Sequence, residues 1–195
     1  MGFIKETQDI LASYRDGFEK ENERYSKIED ENRVKLHREL ITERGYKEAM
    51  ATPNDEHRKA LDELLRSHEQ MVRDALSKYE TSLDQRYLRT SESIDAADVS
   101  LLSSDAVQLS AADVEAMFAK YEGNAAMQGV VSDYESKHKT GANITYYTHD
   151  VRKAAAEDYA GGVIGSMKNI NGNTLGMAFA YYESAAAVPG ALAGE

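Results

Sequence analysis

Large apolar residues recur every seven positions at the start of the chain: Ile4, Leu11, Phe18 and Tyr25. Tyr14 and Ile28 follow three residues after Leu11 and Tyr25. A repeat of seven keeps one narrow stripe turned toward a partner helix, which is the coiled-coil pattern. The next seam position is Asn32, and the pattern resumes out of phase at Leu36 and Leu40, so the seam relaxes there. Asn32 either fixes the register at some cost in stability or sits where the seam has drifted to the surface. A second stripe steps by three or four through Leu61, Leu65, His68, Val72, Leu76, Tyr79, Leu83 and Tyr87. The break between the two helices is expected at Ala51-Thr52-Pro53. There Thr52 suits an N-cap, Pro53 the first helical position and Asp55 the capping-box acid. At about 1.5 Å per residue each helix would run roughly 55–70 Å, more than a compact domain of this size encloses. The arm therefore needs a partner: its own second half folded back as a hairpin, another copy of the chain, or both. The expected pairing residues are Ile4, Leu11, Phe18, Tyr25, Leu36, Leu61, Leu65, His68, Val72 and Leu76.

From Thr90 to Ser110 the periodicity lapses into Ser- and Asp-rich sequence, which favours turns over continued helix. Beyond it, Ser110 and Asp113 have capping-box spacing before a short helix with Val114, Met117, Phe118 and Tyr121 on one face. Gly123 suits a left-handed helix end and Asn124 a cap for the next helix, carrying Met127, Val130, Val131 and Tyr134. Residues 144–148 have β-type composition and suggest a short extended piece. Thr148 or Asp150 then caps a helix whose expected buried face is Val151, Ala155, Tyr159, Val163 and Met167. A last helix is expected from about Thr174 through Met177, Phe179, Tyr181 and Ala187. The expected fold is all-α: a long helical hairpin or coiled-coil arm at 1–90, a linker at 91–109 and a small helical domain at 110–195. Its Gly/Ala-rich C-terminal helices, with Gly161, Gly162 and Gly165, favour close approach to whatever they dock on.

Charge changes this picture in one respect. Residues 1–90 hold 17 Lys/Arg against 20 Asp/Glu, a net of −3, and the remaining 105 residues hold 6 against 14, a net of −8. Together these give the chain's −11. An acidic surface repels phosphates and anionic lipids, so no direct nucleic-acid partner and no membrane are expected. The charges of the arm alternate in sign, as on a solvated helix face. Cysteine is absent, which removes disulfides, thiolate metal sites and cysteine nucleophiles. No signal peptide, myristoylation signal or membrane-length apolar run is expected from the sequence.

The candidate chemistry is thin. The five histidines, His37, His57, His68, His138 and His149, form no His-Glu-x-x-His motif. Glu135 and His138 give one Glu-x-x-His, whereas a di-iron bundle needs two plus two further glutamates. His149-Asp150 are sequence neighbours and face different directions on a helix, so capping is the expected role. His68 falls on the apolar stripe as an interface histidine whose titration would make association pH-sensitive. The segment Gly172–Gly176 lacks the Gly-Lys-Ser/Thr of a phosphate loop. No catalytic residue, no cofactor-binding residue and no metal ligand is expected, so the chain reads as non-enzymatic and free of cofactors.

One segment resembles a known group. Leu101-Leu-Ser-Ser-Asp, Leu109-Ser-Ala-Ala-Asp-Val-Glu-Ala-Met and Lys120-Tyr-Glu-Gly-Asn, with Met127 and Tyr134, are similar to coiled-coil proteins of tailed-phage and prophage structural clusters. Those proteins join a charged coiled-coil N-terminus to a short helical-hairpin module. The resemblance covers about residues 95–138 and carries no catalytic residue with it. It implies a phage structural or assembly protein, scaffold-like or a minor capsid-associated component. Such a protein would form homo-oligomers through its helices and dock on a capsid-type or other phage protein. It would be found in the host cytoplasm during assembly or in the virion. The alternative is an acidic phage- or host-encoded inhibitor that binds and blocks one protein partner.

Overall fold

The computed structural model describes residues 2–88, 93–104, 107–169, 177, 180–182, 184 and 187–193. The protein is all-α, with no strand among the described residues. Its helices are α1 (Phe3–His37), α2 (Glu43–Tyr87), α3 (Ala96–Ser103), α4 (Ala111–Lys120), α5 (Ala125–His138) and α6 (His149–Lys168). A 3-10 turn follows at Gly190–Leu192. Most of the helix expected at 174–187 lies outside the described residues.

The long helices meet at a turn that differs from the expected one. Pro53 lies inside α2, and the chain reverses well before it, between His37 and Glu43. Glu39 adopts φ 57°, and two backbone bonds close the end of α1 around it. The Leu40 amide donates to the Lys35 carbonyl and the Glu39 amide to the Leu36 carbonyl, both at 2.9 Å. This is the Schellman pattern, built on glutamate rather than the usual glycine. Thr42 starts α2: its hydroxyl oxygen accepts from the Gly45 amide at 3.1 Å, and its carbonyl accepts from Tyr46 at 2.8 Å. Pro53 lacks the amide that would bond the carbonyl of residue 49, but one missing bond does not end a helix anchored on both sides. Met50 is buried before it, and Asn54 and His57 are tied to α1 after it.

Contacts divide the chain into two compact units, Met1–Leu76 with Glu157–Glu195, and Ser77–Ala156. α2 and α6 each contribute to both, and the segment expected as a linker contains α3.

In the first unit α1 and α2 form an antiparallel hairpin. Ser13 and Tyr14 lie beside His68, Gly17 beside Leu64, Glu21 beside His57, Tyr25 beside Asn54 and Asn32 beside Met50. The latter part of α6 joins this hairpin near the start of α1. The Phe3 and Tyr159 rings meet edge-on at 6.2 Å, the Tyr14 hydroxyl donates to the Met167 carbonyl at 3.2 Å, and Lys168 pairs with Glu69 at 3.0 Å. The buried residues of α6 are Ala156, Tyr159, Ala160, Val163, Ile164 and Met167, while Val151, expected on that face, is exposed.

The second unit is centred on α3, α4 and α5, with Leu102, Val114, Tyr121, Met127, Val131 and Tyr134 as its core. Its helix starts follow from local chemistry. Asp95 caps α3, Ser110 and Asp113 form a reciprocal capping box on α4, and Asn124 caps α5 after Gly123 at φ 82°. The Leu109 amide donates to the Tyr134 hydroxyl at 3.0 Å, fixing the approach to α4 over that core. Residues 139–148 carry no regular secondary structure, so the β-type run forms no strand. Thr148 starts α6, accepting from Val151 through its hydroxyl and from Arg152 through its carbonyl.

Candidate helix-pairing surface

The expected pairing residues fall into two groups. Ile4, Leu11, His68 and Val72 are buried at 0–8% exposure, and Leu76 is half-buried. Phe18, Tyr25, Leu36, Leu61 and Leu65 are half-buried along the two-helix stretch. On α1 the boundary falls where α6 stops. The heptad positions Ile4, Thr7, Leu11 and Tyr14 are all buried, and Met167 sits at the last of them. Continuing the same repeat, Phe18, Glu21, Tyr25, Ile28 and Asn32 are all half-buried. Among residues 15–67 Met50 alone is buried. A third helix covers the seam in the first stretch, and two helices alone leave it partly wet in the second.

The buried end contains His68. Its Nδ1 lies 2.8 Å from the Leu64 carbonyl, which assigns the proton there, and Nε2 faces the Ser13 hydroxyl at 3.3 Å. The ring is edge-on to Tyr14 at 5.5 Å. The Tyr14 hydroxyl is pushed above its ordinary pKa by burial.

Midway along the two-helix stretch, around Glu21 and Tyr25 of the repeat, sits a polar node. The Tyr25 hydroxyl donates to Asn54 Oδ1 at 2.7 Å, and its ring stacks on His57 at 4.3 Å. His57 Nδ1 lies 2.9 Å from Glu21 Oε1, and Arg24 grips both oxygens of Glu21 at 2.8 Å. The Arg24 guanidinium, with His57 adding to it, holds the Glu21 carboxyl below its ordinary pKa. Polar groups satisfied across a helix pair fix its register. Tyr25 lies on the repeat of seven, but its partner His57 does not stand out in the sequence, because a histidine among charges looks like surface. Lys20, Glu23, Arg24 and Lys27 border an open groove of about 580 Å³ floored by Gly17, Glu21 and Ile28. Its mixed charge suits contact with a mixed-charge surface better than capture of an ion.

In the second unit, His149 Nε2 lies 2.7 Å from Asp84 and Nδ1 lies 3.0 Å from Asp150. The two carboxylates, Asp150 first, raise the His149 pKa. The ring is edge-on to Tyr87, whose hydroxyl donates to the Tyr147 carbonyl, so His149 fastens the end of α2 to the start of α6. Glu135 accepts from Thr140 and Gly141, which closes α5, and His138 stacks on Tyr134 at 4.2 Å. No group of three or more metal-type ligands occurs among the described residues. No helix among them is long and apolar enough to cross a membrane.

Comparison of the chain with protein-family models, with curated proteins and with solved structures gives no match.

Proposed function

We propose that this chain is a non-enzymatic structural or assembly protein of a tailed phage or prophage, working by helix-mediated self-association and docking on a capsid-type partner. The observation that carries the reading is the change in burial along one heptad seam. The seam is dry where α6 covers it and half-exposed for the rest of the hairpin. A seam of this kind gains free energy when another helix covers it, at roughly 25 cal/mol per Å² of apolar surface removed from water. The sequence likeness over residues 95–138 supplies the phage setting, and the stiff hairpin suits a part that holds partners at a fixed spacing.

Light scattering on the purified full chain tests the self-association. The expected mass is a multiple of the 21.7 kDa protomer. A mass of one protomer at every attainable concentration overturns it. Proteomics of particles made by the source that encodes the chain tests the setting. A scaffold is found in immature heads and a minor component in virions, whereas absence from both favours the acidic inhibitor.

A further inference from the structure

We infer that the occupant of the half-exposed seam is a second copy of the same hairpin, laid antiparallel across the first to complete a four-helix bundle. The inference rests on the self-association proposed above and adds its face, partner and orientation.

Three observations single out this partner. First, three pairs of residues along α1 and its closing turn are spaced evenly about residue 27. Phe18 and Leu36 each lie nine residues from that centre, Asn22 and Asn32 five, and Arg15 and Glu39 twelve. A twofold axis there sets Phe18 against Leu36 of the second copy, Asn22 against its Asn32 and Arg15 against its Glu39. At these three pairs apolar meets apolar, amide meets amide and opposite charges meet. The hairpin register places Asn54 of α2 near the same centre, through the Tyr25–Asn54 bond.

Second, the stretch is close to neutral. Residues 15–66 hold 12 Lys/Arg and 14 Asp/Glu, a net of −2, which leaves −9 of the chain's −11 elsewhere. Two copies therefore meet here with little repulsion, unlike their acidic remainder.

Third, the area is adequate. From residue 15 to the end of α1 at His37 is 23 residues, which makes about 33 Å of helix. Two helices side by side, each about 10 Å wide, offer roughly 650 Å² per copy. The total of roughly 1,300 Å² falls within the range of specific interfaces.

The chain has no cysteine, so single cysteines report orientation directly. Asn22→Cys and Asn32→Cys proteins are each oxidised alone and then as a mixture, with a short bis-maleimide as a second cross-linker. The proposal expects a covalent 22–32 dimer from the mixture and little from either variant alone. Positions 22 and 32 of one helix stand about 15 Å apart, too far to bridge within a chain. Leu36→Asp in the otherwise unchanged protein should raise the dimer dissociation constant at least about tenfold. A 22–22 cross-link from Asn22→Cys alone would mean parallel arms and overturn the proposal. If the wild type associates but neither the mixture cross-links nor Leu36→Asp weakens it, this face is wrong while self-association stands. A wild type of protomer mass at every concentration overturns both.

Discussion

Replacing Pro53 with alanine separates the observed hairpin from the one the sequence suggests. In the structure Pro53 is the eleventh residue of α2, so an alanine there gains an amide that can bond the carbonyl of Ala49. Proline costs about 3 kcal/mol relative to alanine in a helix interior. Its stiffening of the unfolded chain returns about 1 kcal/mol of that, leaving Pro53→Ala stabilising by about 2 kcal/mol. For a chain of this length such a gain raises Tm by about 4–8 °C. Had Thr52 capped a new helix with Pro53 as its first residue, the same change would be neutral or mildly destabilising. Thermal and urea unfolding followed by far-UV circular dichroism measure the difference. Amide exchange at Asn54 to His57 shows whether the gain is local. An unchanged or lowered Tm for Pro53→Ala would refute a continuous α2.

The turn itself should respond in two opposite ways. Glu39→Gly removes a side chain from the left-handed region and should stabilise by about 1 kcal/mol, read from the urea midpoint. Thr42→Ala removes the hydroxyl that accepts from Gly45 and should cost about 1 kcal/mol, whereas Thr52→Ala, inside α2, should cost nothing. In the second unit Asp98 accepts from Lys120 at 2.7 Å and from Tyr121 at 2.6 Å. Lys120 first and Tyr121 next depress its pKa, while burial and then the Asp98 bond push the Tyr121 hydroxyl up to about 12. A depressed carboxyl pKa gives stability that is present above the ordinary carboxylate value and lost as pH falls through the folded one. The acid limb of a stability–pH curve should therefore be shallower in Asp98→Asn, and an unchanged limb would contradict the assignment. The raised Tyr121 pKa works in the other direction: its share is complete below the ordinary tyrosine value of 10 and fades as pH rises toward 12.

Local signals were legible wherever side-chain chemistry acts over a few residues. Ser110 with Asp113, Asn124 and Gly123 all do in the structure what their spacing suggested. The hairpin turn was not legible, because its left-handed residue is Glu39 and no glycine marks it. Pro53 offered a stronger local cue, and packing on both sides of it outweighed that cue. Gly45 is the donor to the Thr42 cap. The periodicity found the hairpin stripes from Ile4 to Leu76 but not the point where their burial changes. That point is set by α6, whose return to the hairpin is a contact over more than 150 residues between Tyr14 and Met167. No local pattern encodes a contact at that separation.

Hydrogen exchange as a function of protein concentration distinguishes a hairpin seam paired between copies from one left open to water. If the hairpin seam is the pairing surface, amides of residues 18–36 and 47–65 gain protection as concentration rises. The amides of α4 and α5 keep theirs unchanged. Protection along the hairpin that is independent of concentration across the whole soluble range would contradict it.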